Sequence, residues 1–291
     1  MTGIDTITWD SGRMQVHRRY ASLLEASSLT TLGQVMGYAG GQMMRSVPGR
    51  STVRIELSQA GQEPQVAYLK RYDPAYLNLK TRWLRRIHCV IADEALHEWT
   101  MIHRLRQHGF HAPEPIAAGQ ILSPGWNPIV THSFVLTAHI AQGIAAHEHL
   151  KLLSAQARLA LMERVGALTR RFHQAGFIHK DYYLSHIWAS PSQSEKPDLY
   201  LIDLQRLIGP GRFSPRWRVK DLAALVYSAG LAGATPADLG AFHRHYFNAD
   251  PLGSLEKNWI RRIDRRVQAL TRRRPKYDVI WDRPGIRPTN V

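Results

Sequence analysis

The chain has 291 residues, 44% of them hydrophobic and 21% charged, which is enough for one large domain or two modest lobes with packed cores. The formal net charge of +15 predicts an anionic partner: nucleotide, nucleic acid, acidic membrane surface or phosphorylated substrate. The single cysteine, Cys89, excludes an internal disulfide and a cysteine-based zinc site. Without a signal-peptide core or an apolar run near the ~20 residues that cross a bilayer, we expect a cytoplasmic chain.

A β-hairpin is predicted around residue 60. Residues 51–58 alternate between apolar and polar side chains, as in a half-buried strand, and residues 65–72 form a second strand after a polar turn. In this second strand Lys70 lies on the same face as Val66 and Tyr68. Two interpretations of Lys70 stay open: an edge lysine whose stem packs on apolar neighbours, or the partner of a buried carboxylate.

The next predicted element is an amphipathic helix over residues 93–108. Its apolar side chains recur at helical spacing, at Leu96, Trp99, Ile102 and Leu105. On a helical wheel Glu98 falls inside this apolar stripe, where a carboxylate requires a cation. We expect Lys70 to supply that cation. The alternative is that Glu98 turns outward and pairs with Arg85 or Arg86.

The most distinctive stretch follows a helix predicted over residues 154–174 and reads FIHKDYYLSHIW, from Phe177 to Trp188. Apolar residues flank its polar centre, so the loop is predicted to be buried, where an aspartate or histidine needs a partner or a task. His179, Asp181 and His186 follow the kinase catalytic-loop pattern H-x-D-x-x-x-x-N, with histidine at the asparagine position. Because a short H-x-D pattern also occurs by chance, its meaning depends on context.

A second carboxylate follows this loop. Residues 199–202 form a run of β-forming residues that ends at Asp203, which is typical of a buried strand that presents a metal-binding aspartate at its tip. Further along, a helix is predicted to begin at Lys220 and Asp221. Asp221 is either a first-turn carboxylate favoured by the helix dipole or a residue that ties down the loop around Asp181.

The C-terminal part of the chain is strongly basic. Residues 259–274 have helical periodicity, with arginines on a broad side and apolar residues on the other, at Ile260, Ile263, Val267 and Leu270. Two interpretations stay open for this segment. It is either a solvated helix packed on its own lobe, or a surface that contacts anionic lipid or phosphorylated sugar.

The order of these features resembles the protein-kinase-like fold over residues 50–232. A strand lysine precedes a helix glutamate, and the H-x-D loop and the strand-end aspartate follow. The resemblance implies an α+β protein of two lobes. Residues 1–138 would form a small N-terminal lobe with an antiparallel sheet and one helix, and residues 139–291 a larger, mainly helical C-terminal lobe.

A narrower resemblance is to the bacterial lipopolysaccharide kinase family, the Kdo and heptose kinases. The residues that carry it are IHKDYYLSH at 178–186, LIDLQR at 201–206, RSTVR at 50–54 and YLKRY at 68–72. The Tyr-Leu-Ser-His ending of the loop distinguishes this family from ordinary protein kinases. The resemblance implies an ATP- and Mg²⁺-dependent kinase that phosphorylates a heptose or Kdo hydroxyl of the lipopolysaccharide inner core, at the inner face of the inner membrane.

For the acceptor, the resemblance makes Asp181 the base that removes the proton of the sugar hydroxyl. Lys180 would neutralise an oxygen of the γ-phosphate, and His179 belongs to the same catalytic loop. The expected partner is an anionic glycolipid, the lipopolysaccharide core, whose phosphates and carboxylates suit a basic chain. Contact with an anionic membrane surface is expected to be peripheral. No nucleic acid partner is expected, because no basic surface interleaved with aromatic residues is evident.

For the nucleotide, the resemblance makes Lys70 the ligand of the α- and β-phosphates and Glu98 the residue that holds Lys70. Asp203 would be the principal Mg²⁺ ligand. His186 places an imidazole nitrogen where kinases have an amide oxygen, which leaves it as a weak metal ligand, a donor to the metal site or a packing residue.

The chain also departs from the kinase pattern, since neither a glycine-rich loop nor the Phe-Gly that usually follows the metal-binding aspartate is recognisable. Two other functions therefore stay open. One is a small-molecule or protein kinase of the same fold. The other is a catalytically inactive kinase-like module that binds a membrane or a partner.

Overall fold

The computed structural model describes residues 5–73, 94–124, 130–190 and 198–272 of the chain. The chain divides into two compact units. The first comprises Met1–Ile144 and His186–Ile208, and the second comprises Ala145–Ser185 and Gly209–Val291. Residues 186–208 therefore belong to the first unit, whereas the expected boundary between residues 138 and 139 would place them in the second lobe.

The described part of the first unit is built on a seven-stranded antiparallel sheet. Its strands are β1 (Thr6–Trp9), β2 (Met14–His17), β3 (Gln42–Val47), β4 (Arg50–Leu57), β5 (Gln65–Tyr72), β6 (Pro115–Leu122) and β7 (Val130–Ala138). They are ordered β1-β2-β6-β7-β5-β4-β3. The predicted hairpin is confirmed, because β4 and β5 pair from Arg50 opposite Tyr72 to Leu57 opposite Gln65.

Three helices of the first unit are described: α1 (Ala21–Ala26), α2 (Leu32–Gly37) and α3 (Glu94–Gln107). Helix α3 confirms the helix predicted over residues 93–108, and it buries Trp99, Ile102 and Leu105. A capping box between Thr31 and Gln34 starts α2. Cys89 lies outside the described residues.

A smaller sheet explains why residues 186–208 belong to the first unit. Its strands are β8 (Ile144–Ala145), β9 (Ile187–Ser190) and β10 (Asp198–Leu201), in the order β10-β9-β8. Strand β10 is held by the segment before β6, since Leu201 N–H donates to the carbonyl of His111 at 3.0 Å. Tyr200 also forms a parallel bridge with His111.

The described part of the second unit consists mainly of helices. They are α4 (Ala146–Leu152), α5 (Ala155–Gln174), α6 (Pro215–Leu231), α7 (Pro236–Phe247) and α8 (Ser254–Arg272). The predicted start of a helix at Lys220 is wrong: α6 begins at Pro215, where proline suits the first turn because its missing N–H would be unpaired there anyway. The side chain of Ser154 caps α5, as expected, and accepts a hydrogen bond from Ala157 N–H.

Helices α5 and α7 approach each other closely at a glycine. A Cβ atom on Gly166 would lie 2.5 Å from the carbonyl oxygen of Phe242, so only glycine fits there without a backbone shift. Arg158 also joins the two helices, since it donates to the carboxylate of Asp238 at 2.6 Å. Among the described helices, none is both long and apolar enough to cross a membrane.

Candidate active site

The first unit contains the ion pair between Lys70 and Glu98. Lys70 Nζ lies 2.6 Å from Glu98 Oε1, and Glu98 is only 3% exposed, as the helical wheel predicted. Burial by itself lowers the pKa of Lys70, but the charges of Glu98 and Asp203 outweigh it and raise the pKa above its ordinary value. Lys70 is therefore a cation at neutral pH. The alternative partners, Arg85 and Arg86, lie outside the described residues.

Asp203 joins this pair from the end of β10. Its Oδ1 lies 3.2 Å from Lys70 Nζ and 3.4 Å from Arg50 Nη2, and its Oδ2 lies 3.8 Å from His186 Nε2. The backbone of Asp203 is left-handed, with φ of 58°. Such a conformation is uncommon for a non-glycine residue and is often found at functional sites.

The chemistry of this carboxylate suits Mg²⁺. Protein sites commonly bind Mg²⁺ through one or two carboxylates, while water and substrate phosphates supply the other oxygens. Asp203 provides such a carboxylate, and His186 lies beside it. Within the described ranges, no group of three or more histidine, cysteine, aspartate or glutamate side chains could hold a metal by itself. Water and substrate oxygens would complete the coordination of a Mg²⁺ ion held by Asp203.

Two further residues, Arg50 and Tyr72, contact this group of charged side chains, and no role was predicted for either of them from the sequence. They face each other across β4 and β5, and the guanidinium of Arg50 lies 5.4 Å from the centre of the Tyr72 ring. The hydroxyl of Tyr72 is 3.3 Å from Glu98 Oε2 and 3.3 Å from Gln205 Oε1. Burial and the charge of Glu98 raise the pKa of Tyr72 well above its ordinary value, so it is a neutral donor that fixes Glu98.

The second unit holds the HKD loop through one buried carboxylate, Asp221. Its Oδ2 accepts a hydrogen bond from His179 N–H at 2.8 Å, and its Oδ1 accepts one from Lys180 N–H at 2.9 Å. Asp221 is 1% exposed and lies in the second turn of α6. Of the two interpretations left open for Asp221, these contacts support the one in which it ties down the loop.

A buried histidine completes the surroundings of Asp221. His173 Nε2 lies 3.4 Å from Asp221 Oδ2, and its Nδ1 lies 3.0 Å from the Tyr246 hydroxyl. Burial lowers the pKa of His173, and the hydrogen bond to Asp221 offsets this only in part. A neutral His173 therefore donates from Nε2 to Asp221 and accepts from Tyr246 at Nδ1. No sequence signal marks His173 or Tyr246, because both lie inside ordinary helical patterns.

The three predicted loop residues differ in exposure. His179 is fully buried, with its ring centre 5.6 Å from that of Tyr182, whereas Lys180 and Asp181 are partly exposed. Lys180 has a left-handed backbone, with φ of 71°. The loop thus presents Lys180 and Asp181 at the surface of the unit while His179 packs inside it.

These features define a class of protein. One unit has an antiparallel sheet with a strand lysine, a helix glutamate and a strand-end aspartate, and the other has a clamped H-x-D loop in a helical body. This is the set of parts that protein-kinase-like phosphotransferases use. Residues 39–246 match the Lipopolysaccharide kinase (Kdo/WaaP) family. The chain therefore belongs to that family.

Curated relatives support the same assignment. The chain is 30% identical over 227 residues to the lipopolysaccharide core heptose(I) kinase WaaP of Escherichia coli, which covers 75% of this chain and 81% of the relative. It is 29% identical over 252 residues to the enzyme of that name from Pseudomonas aeruginosa, covering 81% and 89%. Family and relatives confirm the predicted reaction class, phosphorylation of a sugar of the lipopolysaccharide inner core.

A solved structure is similar in fold over most of the chain. It is that of WaaP in complex with acyl carrier protein, with a TM-score of 0.59 and 26% sequence identity. The match covers 79% of this chain and 89% of that one. This likeness confirms the predicted α+β kinase-like fold over most of the chain.

Proposed function

We propose that this chain transfers the γ-phosphate of ATP to heptose(I) of the lipopolysaccharide inner core in a Mg²⁺-dependent reaction. The observation that carries the proposal is the Lys70–Glu98 ion pair with Asp203 3.2 Å from the same ammonium. The choice of heptose(I) as acceptor is supported by the curated relatives, which are kinases of that sugar.

In this proposal the first unit binds the nucleotide. Lys70 holds the α- and β-phosphates, and Glu98, fixed by Tyr72, orients the Lys70 ammonium. Asp203 would hold Mg²⁺, which when bound would neutralise negative charge on the nucleotide phosphates. We assign His186 to orienting the Asp203 carboxylate, because Mg²⁺ prefers oxygen ligands and the imidazole lies 3.8 Å from Oδ2.

The second unit supplies the base. Asp181 accepts the proton of the sugar hydroxyl as that oxygen bonds to the γ-phosphorus. The bond from this phosphorus to the β,γ-bridging oxygen breaks, and ADP leaves with the electron pair. Lys180 balances negative charge next to the base. His179 is buried, so its assigned role is to position the loop through its N–H bond to Asp221.

The nucleotide half of the proposal is tested by thermal unfolding with ATP and Mg²⁺. Binding at a hundredfold excess over Kd should stabilise the protein by about 2.7 kcal/mol. The shift should be lost in Asp203→Asn and kept in Asp181→Asn. If wild type shows no nucleotide-dependent shift, that result favours the alternative function, a catalytically inactive kinase-like module.

The acceptor half is tested by phosphate transfer from labelled ATP to a core oligosaccharide that ends in unphosphorylated heptose. Wild type should label this acceptor, and Asp181→Asn should not. Preferential labelling of a protein or of a free small sugar would favour the other kinase functions instead.

Localisation at the inner face of the inner membrane is part of the proposal, and helix α8 supports it. Arg261, Arg262 and Arg265 are exposed, while Ile263 on the opposite side is fully buried. Arg273 and Arg274 lie outside the described residues. Basic side chains near an anionic bilayer each contribute about 1 kcal/mol, or about a fivefold gain in binding. Sedimentation with vesicles that contain anionic lipid should therefore weaken on replacing these three arginines by glutamine, and vesicles of zwitterionic lipid should bind neither protein.

A protein partner is also suggested by the solved relative, which was determined with acyl carrier protein. We propose that this chain binds such a carrier as well. Co-expression with the carrier, followed by size-exclusion chromatography, should give a joint peak. Separate elution of the two proteins would contradict this part of the proposal.

A further inference from the structure

Three basic side chains surround one tryptophan in the second unit. Lys220 Nζ lies 4.3 Å from the centre of the Trp217 ring, Lys180 Nζ lies 5.5 Å from it, and Arg216 Cζ lies 5.8 Å from it. We refer to these four residues as the Trp217 cluster. Trp217 is half-buried, whereas Arg216 and Lys220 are exposed, so the positive charges lie at the surface of the unit.

Helix α6 holds this cluster next to the proposed base. Trp217 lies four residues before Asp221, on the same side of the helix, and Asp221 binds the backbone N–H of Lys180. The left-handed backbone of Lys180 is therefore fixed by the same helix that carries the tryptophan. Asp181 is the next residue along the chain, with its Cα only about 3.8 Å from that of Lys180.

Pairing with acidic groups does not explain the cluster. Arg216 and Lys220 are four residues apart on one helix, where like charges repel, and the first turn of α6 contains no acidic residue. Within the described ranges, neither side chain forms an ion pair with a carboxylate. Arg218 differs from them, because it donates to the carbonyl of His173 at 3.2 Å and so has a structural contact.

We propose that the Trp217 cluster binds an anionic group of the acceptor, a carboxylate or phosphate on the glycolipid next to the hydroxyl that is phosphorylated. The tryptophan restrains the cations through cation–π contacts, so they lose less freedom when an anion binds. The cluster then determines which sugars are accepted, because a neutral sugar would leave Arg216 and Lys220 without a counter-charge. This inference rests on the proposed function, and it adds to that function a site for recognising the charge of the acceptor.

Steady-state kinetics with the core oligosaccharide test the inference. Replacing Arg216 and Lys220 together by glutamine should raise the KM for the oligosaccharide at least tenfold, since charge-assisted hydrogen bonds to the acceptor are lost. The KM for ATP should change less than twofold. Lys257→Gln is the matched control, because it removes one exposed positive charge from the same unit and should leave both constants unchanged.

Two other results would overturn the inference. A rise in the KM for ATP without a rise for the oligosaccharide would make the cluster a nucleotide site. A loss of kcat together with a lower unfolding temperature, at unchanged KM for both substrates, would make it a structural feature of α6. Trp217→Leu separates these cases, because loss of the aromatic face alone should raise the acceptor KM several-fold while Arg216 and Lys220 are still present.

The source of the anion is found with two altered acceptors. One has its carboxyl groups reduced to alcohols, and the other has had its phosphate groups removed. Wild type should lose affinity for the acceptor that lacks the recognised group, and on that acceptor the double variant should match wild type. Equal use of both altered acceptors and the native one by wild type would contradict the inference.

A binding measurement separates failure of this inference from failure of the proposed function. Asp181→Asn should bind the oligosaccharide without turnover, and calorimetry compares it with the same variant that also carries Arg216→Gln and Lys220→Gln. At least tenfold weaker binding supports the cluster even where no phosphate transfer is seen. Equal binding by the two proteins rejects the cluster, whatever the activity of wild type.

Discussion

The two units each contain a polar network, and the networks are built differently. In the first unit, Lys70, Arg50, Glu98 and Asp203 pair as charged side chains, and the Lys70 and Asp203 side chains are 16% and 19% exposed. In the second unit, the Asp221 side chain is sealed and bonds to backbone N–H groups and a neutral histidine. Charges within reach of solvent can exchange partners with a phosphate or a metal. Hydrogen bonds from backbone N–H groups to a buried carboxylate hold the chain in position and are not available to a ligand.

This contrast predicts that removing a charge from the first network lowers activity with little effect on stability. Removing a charge from the second network should lower the stability of the fold. Asp203→Asn should lower kcat/KM about a thousandfold, or by about 4 kcal/mol, because a group that stabilises charge in the transition state is lost. The free energy of unfolding in urea, measured without ligand, should change by less than about 1 kcal/mol, since Lys70 keeps its ion pair with Glu98. A large loss of stability in Asp203→Asn would contradict this difference between the two networks.

Asp221→Ala should have the opposite profile. It leaves the N–H groups of His179 and Lys180 without their acceptor in a buried place, which should destabilise the protein by about 3 kcal/mol. Urea unfolding measures the effect. Glu148→Ala is the control, because that side chain is 61% exposed and should matter little. An Asp221→Ala protein as stable as this control would show that the loop does not depend on the clamp.

Acid should act on the second network through His173. Its pKa is lowered in the folded protein, so the unfolded chain binds a proton more readily, and stability should fall as pH decreases below about 6.5. Burial also lowers the pKa of His243, to about 4, and this gives a background loss over the same range. The test is therefore a difference: His173→Gln should reduce the slope of stability against pH between 7 and 5. An unchanged slope would show that His173 does not contribute.

The smallest effect is expected for Tyr72→Phe. The hydroxyl lies 3.3 Å from both Glu98 Oε2 and Gln205 Oε1 and donates its one proton to Glu98, so its loss should cost about 1 kcal/mol in urea unfolding. The KM for ATP should rise a few-fold, because Glu98 then holds Lys70 less firmly. If stability falls and the KM for ATP does not, Tyr72 belongs to the core of the unit and not to its nucleotide site.

Local patterns in the sequence were sufficient to find the elements that carry the site. Alternation predicted β4 and the polar turn after it predicted β5, while the helical wheel placed Glu98 on the buried face of α3, where Lys70 was the expected cation. The HKD pattern and the strand before Asp203 came from neighbouring residues alone. These features share a physical cause, since strand and helix periods place side chains within a few residues of each other on one face.

Other predictions failed or could not be made because their causes are distant in the chain. The start of α6 was placed at Lys220 because the apolar pattern begins there, although a proline at the first turn already allows the helix. Arg50 and Asp203, whose contact spans 153 positions, meet only because of how the sheet and β10 pack. His173 likewise meets Asp221 and Tyr246 only through the packing of three helices.

The sequence by itself therefore determined the chemistry available to this protein: a basic chain with a strand lysine, a helix glutamate, an H-x-D loop and a strand-end aspartate, which together indicated its family. Only the tertiary structure decided which charges meet beyond the Lys70–Glu98 pair, how deeply Asp221 is buried, and which cations converge on Trp217. The reason is that a period along the chain fixes the face on which a side chain lies, whereas its partner depends on how distant elements pack, and packing is a property of the whole unit.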